Sequence, residues 1–221
     1  MKVINFEKLL PADIPPGERI LWHGRPEWVS LARRAFRADF VAAWFAAATV
    51  WNFGAAAIDA GWSEAALSGA KTAGSGALAL GLLFLLAWLS ARTSLYVVTS
   101  RRVVMKVGIA LPIFFNLPFA RIQSASLRSY SDATGDIPLA LGPGQRIAYL
   151  HLWPHARPFR FSHPQPALRC IGNAGEVADI SARALIALAN EQRARNAPAT
   201  RETIVRPEKV PAYPGGAVAA A

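Results

Sequence analysis

Charge all but disappears from the middle of this chain. Residues 40–58 and 72–91 contain no Asp, Glu, Lys or Arg. As a helix, each stretch would reach ~30 Å, the thickness of a bilayer's hydrocarbon core. Thirteen residues separate them, which predicts a helical hairpin with a short loop at its far end. After Arg92 the apolar period drops to two. Residues 94–99 (SLYVVT) and 102–107 (RVVMKV) predict two strands joined at Ser100-Arg101, with Gly108 as the next turn. Residues 114–117, 122–127, 137–141, 147–152 and 157–161 predict further short strands, for seven in all. Residues 173–196 then turn helical, with Ala174, Val177, Ile180, Ala184, Leu185 and Leu188 on one stripe and Asn173 placed to cap the start.

Seven strands followed by one helix is the layout of a pleckstrin-homology-like (PH-like) domain. The expected fold class is an α+β membrane protein: a two-helix transmembrane hairpin, then a seven-stranded β-sandwich or open barrel with a C-terminal capping helix. The chain divides into an N-terminal arm (residues 1–37), the hairpin (38–91), the PH-like domain (92–196) and a Pro/Ala/Gly-rich tail (197–221) expected to be disordered. Within the arm, residues 17–28 (GERILWHGRPEW) predict a short strand or turn that docks on something. Residues 30–37 (SLARRAFR) suggest an amphipathic approach to the membrane, Leu31 and Phe36 down and the arginines snorkelling.

Charge adds a direction. The 221 residues carry 24 Lys+Arg against 14 Asp+Glu, a net +10. Arg33, Arg34 and Arg37 precede the first span, and Arg92, Arg101, Arg102 and Lys106 follow the second; between the spans lie only Asp59, Glu64 and Lys71. Basic residues are retained on the cytoplasmic side, so both termini are expected there. That sorting accounts for much of the basic excess. With no helix-turn-helix or zinc-finger spacing, a nucleic-acid partner is not expected, and anionic lipid headgroups are the nearer one. The single Cys170 allows no internal disulfide and reads as a buried thiol. The first apolar stretch begins too deep for a cleaved signal peptide.

The spans carry small residues on one face: Ala42, Ala46 and Gly54 in the first, Ala73, Ala77 and Gly81 in the second. Such faces let helices approach closely, within the chain or between copies, so a homo-oligomer is allowed. Trp62 and Trp88 sit where an interfacial belt is expected, and Asn52 reads as an interhelical hydrogen bond.

Residues 96–108 (YVVTSRRVVMKVG) resemble the opening hairpin of bacterial membrane-anchored PH domains, and GERILWHGRP resembles the segment that precedes their spans. The strings GIALPIFFNLPFARIQS, TGDIPLAL and RIAYLHLWPHARPFRFSHPQPALR resemble the PuhB-like family of photosynthetic-complex assembly proteins of purple bacteria, over about residues 17–188. The resemblance implies assembly rather than catalysis, with reaction-centre or light-harvesting core subunits as partners. It also implies a home in the bacterial inner, photosynthetic membrane.

No chemistry-bearing constellation competes with that reading. His151 and His155 are four apart with His163 nearby, but Pro154 breaks a helix between them and no acidic ligand accompanies them. Neither span holds a histidine for pigment ligation. GPGQR (residues 142–146) is a tight turn without the Lys-Ser/Thr pair of a phosphate loop. No catalytic residue, metal or cofactor is expected. Two surfaces remain as candidate binding sites for partner or lipid. One is basic: Arg33, Arg34, Arg37, Arg92, Arg101, Arg102 and Lys106. The other is aromatic: Phe114, Phe115, Phe119, Trp153 and Phe159.

Overall fold

The computed structural model describes residue 15, residues 17–142 and residues 147–196. Residues 1–14 and 16 of the expected arm, the tail and most of the GPGQR turn lie outside the described residues. Strand β1 (Ile20–Gly24) leads through a short helix α1 (Trp28–Arg34) into two long helices, α2 (Ala38–Asp59) and α3 (Trp62–Thr93). Strands β2 (Leu95–Thr99), β3 (Arg102–Val107), β4 (Ile113–Pro118), β5 (Ile122–Ala125), β6 (Arg128–Ser129) and β7 (Thr134–Leu141) follow. Then come α4 (Tyr149–Leu152), β8 (Ala167–Gly172) and α5 (Ala174–Asn196).

The eight strands form two antiparallel sheets. The first runs β1-β2-β3-β4; in the second, β7 pairs with β5, β6 and β8. Two expected strands are absent. Residues 149–152 form a helical turn, and residues 157–161 form no strand: there is only the bridge from Ala156 to Pro166 and the Arg157 N–H donated to the Gln165 carbonyl at 2.9 Å. Pro158 lies within that segment and Pro154 precedes it, and neither can donate to a ladder. In their place β8 completes the second sheet.

The hairpin interrupts the β-domain rather than preceding it. β1 lies before the helical hairpin and β2 after it, yet the two pair with Ile20 opposite Thr99 and Gly24 opposite Tyr96. The boundary expected at residue 92 therefore falls inside the domain, and the second half of the arm belongs to the fold. Glu18 fastens this closure. Its side chain is buried, accepts a hydrogen bond from the Thr99 hydroxyl, and meets Arg102 Nε at 3.0 Å. Thr99 Oγ1 also accepts the backbone N–H groups of Arg101 and Arg102 at 3.2 and 3.0 Å.

The core lies between the sheets. β3 alternates, burying Val103, Met105 and Val107, while central β2 is buried throughout. Ile137, Leu139, Leu168 and Ile171 come from the second sheet, and Ala174, Val177 and Ala184 of α5 close the open side. Each fully buried large apolar side chain here contributes about 1.5–3 kcal/mol. Gly135 is required where α5 begins: a Cβ there would stand 2.6 Å from that of Ala174.

The helical hairpin is tighter than expected. The loop of residues 59–71 reduces to a turn at Ala60-Gly61, and residues 62–71 lengthen α3 to 32 residues. Glu64 in its first turn suits the helix dipole. The packing face also differs from the small-residue faces expected. Phe45 seats on Gly76 and Phe53 on Gly69, bulk into notch, while Ala73, Ala77 and Gly81 face outward. Asn52 does bridge the helices, reaching Thr72 Oγ1 at 3.4 Å. Given those contacts, Ala38 is level with about residue 83, so roughly ten residues, ~15 Å, of α3 stand beyond the start of α2. The β-domain is mounted on that projecting post. α1 packs along it, burying Leu31, Ala32 and Phe36 against Ala87, Ala91 and Cys170. Leu31 and Phe36 therefore face protein rather than lipid.

Candidate functional site

Two arrangements meet at the end of α3. The first is a buried polar seam. His155 is fully buried, with Nε2 2.9 Å from Ser94 Oγ and 3.3 Å from Ser90 Oγ, and Nδ1 against the Tyr96 hydroxyl. Tyr96 Oη also accepts the Arg169 backbone N–H at 3.3 Å. The arrangement that leaves no donor idle has Tyr96 donating to Nδ1 and the Nε2 hydrogen donating to serine. That is the neutral imidazole. Burial, then the Arg169 charge, push its pKa down from the ordinary value to about 3.

The seam continues through Arg169 and Asp136, both buried and 3.3 Å apart. Arg169 Nε faces the carboxylate as a charge without making a hydrogen bond to it. Its Nη1 instead donates to the carbonyls of Pro154 and Ala156 at 3.4 Å. Asp136 accepts the Cys170 backbone N–H at 2.8 Å and the Tyr130 hydroxyl at 2.7 Å. Burial and the Asp136 carboxylate raise Tyr130 to about 12. Burial and the same charge raise the Cys170 thiol to about 11, so it is protonated and inert at neutral pH. Beyond Tyr130, Arg34 stacks on the ring at 3.6 Å and pairs with Asp132 at 2.8 Å. That contact, with a hydrogen bond from Thr134, holds the Asp132 carboxyl below the usual range.

The second arrangement is a cationic pocket of about 230 Å³, lined by Arg25, Arg92, Thr93, Leu95, Lys106, Gly108, Ile109 and Pro112. β1 ends beside it, β2 begins there and β3 ends there, since Leu95 pairs with Lys106. Gly108 makes the turn. At φ 115° it lies so close to the Leu111 carbonyl that a Cβ would stand 2.1 Å from that oxygen. Among the described residues no carboxylate lines the pocket.

The structure divides the expected surfaces. Arg92 and Lys106 share the pocket, joined by Arg25, which the sequence reading left out. Arg101 and Arg102 lie at the opposite end of β3, about 13 Å away at the rise of a strand, and Arg102 is tied to Glu18. Arg33 pairs with Asp39 at 3.0 Å, Arg34 belongs to the seam, and Arg37 is exposed at the entry to α2. Among the aromatics, Phe119 is buried in the core, and Phe115, partly buried, packs against it. Phe114 is half-buried beneath Lys106. Trp153 packs edge-on to Phe36 at 5.0 Å, and Phe159 is 75% exposed. With Leu150 and Phe161, these two form an exposed apolar loop between β7 and β8. His155 is buried whereas His151 and His163 are exposed, so the three do not share a site. Among the described residues no cluster of His, Cys, Asp and Glu is placed to hold a metal.

Comparison with known proteins agrees with this architecture. A protein of Rhodobacter capsulatus, described as an uncharacterized 23.7 kDa protein in the puhA 5′ region, is 40% identical over 202 residues, 86% of this chain and 89% of its relative. No solved structure matches the chain. Residues 48–185 match the bacterial PH domain family, from within α2 to within α5, and the chain belongs to that family.

Proposed function

We propose that this protein is a non-enzymatic, membrane-embedded holding module for assembly of a photosynthetic core complex. In this reading α2 and α3 cross the inner membrane twice, and the β-domain, both termini included, faces the cytoplasm. Both helices are long and apolar enough to cross a membrane. The observation that carries the reading is that among the described residues nothing covers several of their large side chains: Val50, Trp51, Ile58 and Leu78 are each more than 70% exposed. In water that surface would be untenable; in lipid it needs no cover. The flanking arginines supply the orientation.

The photosynthetic part rests on the relative encoded beside puhA, a photosynthesis locus, and on the PuhB-like strings. The exposed loop carrying Leu150, Trp153, Phe159 and Phe161 is the surface assigned to a reaction-centre or antenna subunit. Confinement to the same membrane raises the effective concentration of partners, so modest affinity suffices and release stays easy. Deleting the gene in a photosynthetically grown strain should lower core-complex content, and detergent pull-down should enrich reaction-centre or antenna polypeptides. Normal core-complex levels in the deletion strain would refute the assembly role.

A further inference from the structure

We propose that Lys71 anchors an intramembrane docking face on α3 that takes a transmembrane helix of another protein, one carrying a carboxylate at the same depth. The proposal rests on the membrane-embedded holding reading above and names a contact through which a client is held. Lys71, expected in a loop between the spans, lies within α3. Asn52 reaches Thr72, Phe53 seats on Gly69 and Phe45 on Gly76, which sets the register of the antiparallel pair and puts Lys71 level with about residue 51 of α2. That level is ~11 Å from the far end of the charge-free stretch 40–58 and ~17 Å from its start. The four-carbon stem leans toward the helix N-terminus, which shortens the nearer distance without closing it. Lys71 is exposed and has no ion-pair partner among the described residues. Ser75, four residues on, spends its hydroxyl on the Lys71 carbonyl at 2.9 Å. An ammonium at that depth is costly without a counter-charge, and a carboxylate from outside the chain supplies one.

The surface beside Lys71 has the shape for a helix. α3 carries two pairs of glycines with the same seven-residue spacing. Gly69 and Gly76 face α2 and are filled by Phe53 and Phe45. Gly74 and Gly81 face outward, where a Cβ would meet nothing within 4 Å, and Ala70 and Ala77 are exposed beside them. Notches of this kind admit the backbone or a bulky side chain of a neighbouring helix. A second copy of this chain does not meet the charge requirement. Copies share one orientation in the membrane, so packing this face on itself brings Lys71 to the depth of Lys71. Neither helix offers an acid near that depth, since α2 has only Asp39 and Asp59, at its two ends, and α3 only Glu64, in its first turn. The occupant is therefore a different chain whose span contains Asp or Glu.

The test reconstitutes the full chain in phosphatidylcholine vesicles with a synthetic single-span Leu/Ala helix carrying Glu, Gln or Leu at the depth of Lys71, and reads association by energy transfer between labels on the two. The Glu helix should bind about ten-fold more tightly than the Leu helix. Lys71→Met should remove that preference and Lys71→Arg should keep it. Gly74→Leu, which closes an outward notch, should weaken the Glu helix, whereas Gly54→Leu, at an open position on α2, should not. Equal binding of the Glu and Leu helices, or a Glu preference that survives Lys71→Met, would overturn the docking face. Gln binding as tightly as Glu would overturn the carboxylate. Energy transfer between two labelled copies of this chain, lost in Lys71→Met, would put a second copy in the partner's place and overturn the proposal. Two other readouts judge the reading beneath it. A chain stripped from membranes by alkaline carbonate refutes the spans, and a wild-type pull-down without reaction-centre or antenna polypeptides refutes the assembly role, whatever the vesicles give. Enrichment unchanged in Lys71→Met refutes the docking face alone.

Discussion

The last turns of α3 present two faces to the β-domain, and the two are built on opposite rules. On one face Ser90 and Ser94 meet His155, Tyr96 and, through them, Arg169 and Asp136, all buried and linked. On the other face Arg92 opens onto a cavity with Arg25 and Lys106 and, among the described residues, no carboxylate. Buried polar groups must be partnered within the protein, or folding fails by the full cost of desolvating them. Cations left unpartnered at a rim cost little in water and are available to something outside the fold. The seam therefore holds the domain to the end of α3, and the pocket is free to bind.

The largest effect should come from breaking the seam at its charged centre. Arg169→Met leaves Asp136 buried and unpaired, which should lower stability by about 3–5 kcal/mol, read by thermal unfolding in detergent. Adding Asp136→Asn should restore part of that loss. Acid should probe the same seam through His155. Its folded pKa, about 3, lies below the ordinary 6.5, so the unfolded chain binds the proton first and stability falls as pH drops through 6.5 toward 3. Between pH 6.5 and 5 the loss should be about 2 kcal/mol, and a His155→Gln variant should lack that component of the pH dependence.

Effects at the pocket should be smaller and of another kind. Gly108→Ala forces a side chain against the Leu111 carbonyl and should cost about 1–3 kcal/mol, seen as faster proteolysis of the β3–β4 turn. Arg92→Gln should change stability by no more than about 0.5 kcal/mol, read by thermal unfolding in detergent. A large stability loss there would erase the distinction between the two faces.

Much of this architecture was legible in the sequence because it is written in local periodicity. The charge-free stretches became α2 and α3, residues 102–107 became β3, and the stripe on residues 174–188 became the buried face of α5. What was not legible depends on contacts far apart in the chain. β1 joins a strand more than 70 residues away, so the interruption of the domain by the hairpin leaves no local mark. β8 was hidden because ALRCIG lacks clean alternation: it is buried over five of its six residues. Residues 147–152 have strand composition, but they lead into Pro154 and form a helical turn. At the candidate site, proximity to the spans in sequence grouped Arg101 and Arg102 with Lys106, although a strand's length separates them in space. Arg25 was missed for the converse reason, since it reaches the pocket only through the pairing of β1. The motif residues Tyr96, Thr99 and Arg102 prove to be structural, closing the seam and the β1 junction.

The central claim is that the uncovered hairpin spans the bilayer with the β-domain on one side only. Cys170 is fully buried, so the native chain should be silent to maleimide and an introduced cysteine should report cleanly. Ser63→Cys lies just past the α2–α3 turn, and Asp179→Cys is on the exposed side of α5. With a membrane-impermeant maleimide, Asp179→Cys should label only in inside-out vesicles and Ser63→Cys only in right-side-out ones. Labelling of both positions from the same side would contradict the account.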